Sequence, residues 1–259
     1  MYNVGIALGM ALITLVGVGV PFGWKAAIIP VLMVFGVGLV LLMRRTAKRV
    51  EADLHPLMGL LQNRKVVEGR AALEAVKARW GKWQPMLEGQ LDAQIGMIDY
   101  LQLKFDDAKP LLKKGSWRNW MALSALGCIA WRKNEPEVAF KYLGEAANAA
   151  EKEPMVFLVW ATLLDRAERR SEALKVLDRG LKSNATSTVL KDLHTTISNK
   201  RKVDTRSFPQ TWYQFFPEDA QGLQAQMVMR GRRDGASGPP PGPDLAPEKM
   251  NRKMRRDRT

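Results

Sequence analysis

The sequence predicts an all-α protein built from two unlike parts: an N-terminal transmembrane helical hairpin, then an α-solenoid of stacked antiparallel helix pairs. Three observations lead there. The first 43 of the 259 residues hold one charged side chain, Lys25, while the other 39 basic and all 26 acidic groups follow. A small-residue column recurs at Ala108, Ala139 and Ala173. Around that column, amphipathic stretches of helical length alternate with short polar turns.

The hairpin comes first. Residues 4–20 are apolar or small except for Thr14, and a second apolar run covers 25–43. A helix rises about 1.5 Å per residue, so about 20 residues cross a ~30 Å hydrocarbon layer. The first run reaches that length with Tyr2 and Phe22 at the interface, and the second with Trp24 and Lys25. Between them, Pro21 to Lys25 reads as a five-residue connector that turns the helices antiparallel. Trp24 suits the membrane–water boundary and Lys25 snorkels to it. Pro30 falls in the first turns of the second helix. Glycines 5, 9, 17, 19, 36 and 38 are expected to pack the hairpin against itself, with association to another membrane protein as the alternative.

Charge sets the orientation. Arg44, Arg45, Lys48 and Arg49 follow the second run at once, which places them and all that follows in the cytoplasm. By parity the N-terminus is cytoplasmic too. A signal peptide fits poorly, because a basic leader is missing and a second apolar run follows. A re-entrant hairpin would leave the rest on the same side. The single cysteine, Cys128, excludes an intramolecular disulfide and fits a reducing compartment. A bacterial inner membrane is the expected setting.

Residues 44–88 are expected to form a basic stalk and a diverged helical pair, 51–61 with 66–80. Residues 89–187 carry the repeat. Its column spacings, from 108 to 139 and from 139 to 173, are 31 and 34 residues. Four positions on stand Leu112, Leu143 and Leu177, and seven on stand Gly115, Ala146 and Gly180. Earlier in each copy come Ile95-Gly96, Leu126-Gly127 and Trp160-Ala161, then Asp99, Ala130 and Leu164. One helix pair cannot bury its apolar stripe, whereas stacked pairs can. Asn134 and Asp106 are expected as N-caps. Residues 188–200, with Val189, Leu190, Leu193 and Ile197 at helical spacing, read as a capping helix.

These copies resemble the tetratricopeptide repeat, a family of two-helix units with small residues at the helix contacts. The best copy is 120–153; 154–187 departs at Trp160-Ala161, and 89–119 is shortened before the next unit. The resemblance implies a concave surface lined by the first helix of each unit. Carried over, that surface takes Met97, Tyr100 and Leu101, then Ser124, Cys128, Trp131 and Arg132, then Leu158, Thr162 and Arg166. The family's Lys/Asn clamp for a terminal carboxylate is not evident. The groove reads as apolar with an Arg rim, suited to an amphipathic or extended apolar peptide. Met97, Tyr100 and Trp131 have an alternative place, packed against neighbouring helices.

No catalytic constellation is apparent: there is no Gly-rich phosphate loop, no metal-spaced His/Cys cluster, and Cys128 lies where a buried apolar side chain belongs. The reading is therefore non-enzymatic, with no cofactor and no small-molecule substrate. Within an aromatic extension over 201–230, Phe208, Trp212, Tyr213, Phe215 and Phe216 crowd into ten residues. Such density must dock, on the chain's own array first, or else on a partner or the membrane surface. The tail, 231–259, is Gly/Pro-rich and ends in Lys249, Arg252, Lys253, Arg255, Arg256 and Arg258. It is expected to be disordered, and to meet anionic lipid, RNA phosphates or only solvent. Together these features predict a membrane-anchored scaffold or adaptor whose partners are other proteins. The alternatives are an accessory subunit contacting a membrane complex through its hairpin, and a ribosome- or RNA-linked factor acting through its tail.

Overall fold

The computed structural model describes residues 1–62 and 65–219, and every regular element among them is helical. The basic tail and the end of the aromatic extension lie outside the described residues.

Helices α1 (Tyr2–Phe22) and α2 (Trp24–Gln62) are long and apolar enough to cross a membrane, by length and composition. Their turn is tighter than the expected five-residue connector. α1 runs through Pro21 and α2 begins at Trp24, leaving only Gly23 non-helical. Its φ of 87° is a conformation glycine adopts without a Cβ clash. The helices meet through buried Ala7, Ala11 and Ala27. At the open end Asn3 Nδ2 donates to Thr46 Oγ1 at 2.9 Å, fixing their register.

Alanines, rather than most of the glycines, make this contact. A Cβ on Gly5, Gly9, Gly17 or Gly36 would meet nothing within 4 Å. The reason is helical phase: Asn3, Ala7 and Ala11 share one face, and Gly5 lies two residues, roughly 200°, away from it. Only Gly19, against the Trp24 ring, and Gly38, near Met10, touch the opposite helix.

α2 also overturns the expected boundary after residue 43. Its 39 residues extend about 58 Å, about twice a hydrocarbon layer. No glycine or proline between 44 and 50 interrupts it, so the helix expected over 51–61 is its continuation. α3 (Val66–Trp80) folds back along this extension, burying Leu73, Val76 and Trp80 with Val50 and Leu57. Trp80 Nε1 donates to Asp53 at 2.7 Å.

Antiparallel pairs follow: α4 (Leu87–Leu101) with α5 (Phe105–Lys114), α6 (Trp120–Arg132) with α7 (Pro136–Ala149), and α8 (Pro154–Arg166) with α9 (Arg170–Ser183). α10 (Thr188–Ser198) closes the stack. Ala108, Ala139 and Ala173 are fully buried, as are Leu112, Leu143 and Leu177. Gly96 and Gly127 admit Leu112 and Leu143 from the paired helix, so each column residue has a packing reason.

The expected caps are corrected. Lys104 and Glu135, rather than Asp106 and Asn134, precede α5 and α7. Asn134 instead has φ of 59°, and Leu103, Glu168 and Lys200 share that left-handed turn in the other units. A short helix–helix turn needs one such residue, and asparagine adopts it at little cost. Side-chain caps come from Asn119, accepting from Ala122 N–H at 3.2 Å, and Ser187, accepting from Leu190 N–H at 3.4 Å. After α10, 3-10 turns form at Thr205–Ser207 and Gln210–Gln214.

Candidate protein-binding groove and membrane-side surface

The first helices of the pairs, α4, α6 and α8, line a groove that the chain's own aromatic segment fills. Trp212, Phe215 and Phe216 belong to the same buried core as Tyr100, Cys128 and Leu158. Trp212 stacks on Phe216 with centroids 4.3 Å apart, and Phe208 meets Trp212 edge-on at 4.9 Å. Phe215 lies 6.1 Å from Trp120. Tyr213 and Phe208 are half-buried against this cluster.

The rim is built by the repeat itself. Arg132 and Arg166 occupy equivalent positions 34 residues apart, and both guanidiniums lie 5.3 Å from the Phe216 ring centroid. Arg166 also covers Trp212 at 5.9 Å. Arg132 sits 4.7 Å over Phe105 and 5.4 Å over Tyr100. Its Nη1 donates to Tyr100 Oη at 2.8 Å and its Nη2 to the Phe215 carbonyl at 2.8 Å. Tyr100 Oη donates to that same carbonyl. One backbone carbonyl in the segment thus takes two donors from the array. The bonds hold it in place while the aromatics supply apolar burial.

The other expected groove residues divide. Ser124, Cys128, Leu158 and Thr162 are buried, with Thr162 Oγ1 donating to Leu158 O at 2.7 Å along its own helix. Among the described residues the Ser124 hydroxyl is buried with no partner. Met97 is half-buried against the core. Trp131 faces its own unit, 6.1 Å from Phe140. Leu101 is 46% exposed and outside the core, because it holds the position, seven residues before the column, where Arg132 and Arg166 stand in the other units.

Sequence reasoning passed over two buried acids. Asp99 holds the column filled by Ala130 and Leu164, yet it is buried. Arg70 reaches it from α3, donating from Nε at 2.8 Å and Nη2 at 3.2 Å. Asp92, also buried, accepts from Lys77 at 2.6 Å. The hydrogen bond to Asp99 is the main cause holding the Arg70 guanidinium above its ordinary range. The signal was there to read: cations seven apart, acids seven apart, and both pairs symmetric about the turn at 84–85. Surface pairs tie successive units in the same way. Lys133 bonds Asp106 at 2.6 Å, which lowers the Asp106 carboxyl, and Arg169 bonds Glu137 at 2.6 Å.

At the other end of the array, loop 81–86 sits on the open end of the hairpin. Tyr2 and Asn3 N–H groups donate to the Lys82 and Trp83 carbonyls at 3.0 and 3.2 Å. These are donors that a helix start leaves without partners. Gln84 Nε2 donates to the Met43 carbonyl at 2.7 Å, and Tyr2 packs edge-on to Trp83 at 5.5 Å. Arg44, Arg45, Lys48 and Arg49 are exposed on α2 beside this contact. At the far turn, Trp24 is 60% exposed and Lys25 exposed.

No protein-family model matches this chain, and no curated protein matches it. A solved structure reported as the functional characterization of Pseudomonas aeruginosa PilF is similar at 13% identity. The match covers 68% of this chain and 99% of that one, with a TM-score of 0.39, too loose an overlay to bear on the site.

Proposed function

We propose that this chain is a membrane-anchored scaffold of the tetratricopeptide-repeat kind, non-enzymatic, which holds a protein-binding array at the cytoplasmic face of a membrane. The observation that carries this reading is the continuity of α2. It passes without a break from an apolar span into the packing of α3, while loop 81–86 caps α1. A helix continuous from the anchor into the array supports an array held at the bilayer with loop 81–86 on the membrane side.

The segment around Trp212 shapes how partners bind. A peptide partner entering the groove displaces that segment, and a partner using the outer helices leaves it in place. Photocrosslinkers at Met97 and Arg166, compared with one at Ile13 in the hairpin, test the scaffold in native membranes. Protein adducts from Met97 or Arg166 support it. Adducts from Ile13 alone favour the accessory-subunit reading, which gains support from Gly5 and Gly9, where an added Cβ would meet nothing within 4 Å among the described residues. Loss of ribosome co-sedimentation on removing 248–259 would favour the RNA-linked reading.

A further inference from the structure

We propose that loops 81–86 and 115–119 form a seating surface that enters the bilayer's headgroup layer and binds anionic phospholipid. The proposal rests on the membrane-anchor reading. Both loops stand at the hairpin end of the array: loop 81–86 bonds to Tyr2, Asn3 and Met43, and loop 115–119 is held against the start of α4, where Gly115 packs on Gly89. The open end of the hairpin is also where the apolar span gives way to Arg44 and Arg45, which sets the height of the headgroups.

The chemistry of the two loops matches that height. Trp117 is 66% exposed and Met86 44% exposed, both away from any core. The Arg118 guanidinium lies 5.5 Å over the Trp117 ring. Lys82, Lys114 and Arg118 are all exposed, continuing the cationic band of α2. Between the loops a cleft of about 810 Å³ is lined in part by Met86, Gln90, Lys114, Trp117 and Arg118; two acids also line it, Glu88 and Asp92, the latter bonded by Lys77. An indole beside cations is the combination that partitions at a lipid interface and pairs with phosphate.

A contrast within the same molecule strengthens the assignment. The next loops on that end, 150–153 (Ala, Glu, Lys, Glu) and 184–187 (Asn, Ala, Thr, Ser), have no aromatic residue and no excess of positive charge. The aromatic-and-basic character is confined to the two units nearest the hairpin. Trp117 and Met86 line one cleft together with Lys114 and Arg118, a grouping that the loops at 150–153 and 184–187 lack.

The test uses the full chain, with Cys128→Ala, in phosphatidylcholine vesicles with and without phosphatidylglycerol. Nitroxide labels placed through Ser116→Cys, Glu151→Cys and Ile13→Cys are read by their access to oxygen and to a water-soluble nickel reagent. The expected result is a lipid-like signal at 13 and, with phosphatidylglycerol, an oxygen-to-nickel ratio at 116 severalfold above that at 151. Lys114→Glu with Arg118→Glu should return 116 to the value at 151. Gln90→Cys, across the cleft, supplies a second position should Ser116→Cys misfold. Equal, water-like signals at 116 and 151 with 13 in lipid overturn the seating surface while leaving the anchor intact. A label at 116 shielded from both reagents means a protein contact, and equal ratios in both vesicles mean no anionic preference; either overturns the proposal. A water-like signal at 13 overturns the anchor reading itself.

Discussion

Replacing Trp212 by alanine probes how firmly the array holds its own aromatic segment. Trp212 is fully buried, stacked on Phe216, edge-on to Phe208 and covered by Arg166. A buried aromatic removes about 150–250 Å² from water, which at about 25 cal/mol per Å² is about 4–6 kcal/mol. Large aromatic-to-alanine changes in cores cost about 3–5 kcal/mol, in agreement. Position in the chain adds a second response. The segment follows α10, so it can detach and leave the helix pairs standing, and the loss is then capped at its docking free energy. Under such a cap, Trp212→Ala with Phe216→Ala costs no more than the worse single variant. Without one, the losses accumulate. Urea unfolding in detergent, followed by far-UV circular dichroism, measures the size. Hydrogen exchange at 205–217 separates detachment from global loosening. A cost below about 1 kcal/mol with unchanged exchange would refute the claim that these aromatics are part of the core.

Three further outcomes are expected. Arg70→Ala leaves Asp99 buried without its cation and should cost about 2–3 kcal/mol, at or below the low end for buried pairs because Arg70 is 34% exposed. Asp99→Asn in that background should recover part of the loss, and an unchanged urea midpoint for Arg70→Ala would count against the pair. Gly115→Ala drives a Cβ into the Gly89 carbonyl and the Ala93 Cβ, so overpacking should cost about 1–3 kcal/mol. Gly5→Ala, with nothing within 4 Å of the new Cβ and a helical backbone, should hold or raise the melting temperature, and a fall matching that of Gly115→Ala would contradict the packing described. Asp106, lowered by its bond from Lys133, should titrate below the ordinary aspartate range in carboxyl NMR and return to it in Lys133→Ala. A depressed carboxyl stabilises the fold above its unfolded pKa, and that contribution fades as pH falls through the folded value. Because Asp106 is exposed, its titration is the readout, and an ordinary value in the parent chain rules out the bond.

By itself the sequence determined the features that depend on local pattern. Charge-free length defined two apolar helices, and the column through Ala108, Ala139 and Ala173 defined stacked pairs, because burial repeats wherever the same helix contact repeats. The equivalence of Arg132 and Arg166 was legible for the same reason. What only the tertiary structure decided were contacts between residues far apart in the chain. The aromatic density at 208–216 signalled that the segment must dock. That it fills the groove, with the Phe215 carbonyl held by Tyr100 and Arg132, depends on separations of 115 and 83 residues that no local pattern encodes. The ion pairs from Arg70 and Lys77 to buried acids likewise need α3 laid beside α4 before their spacing has meaning. The narrowing of the connector to Gly23 alone and the continuity of α2 came from backbone cooperativity. A helix continues until something stops it, and composition marks where the apolar run ends, not where the helix does.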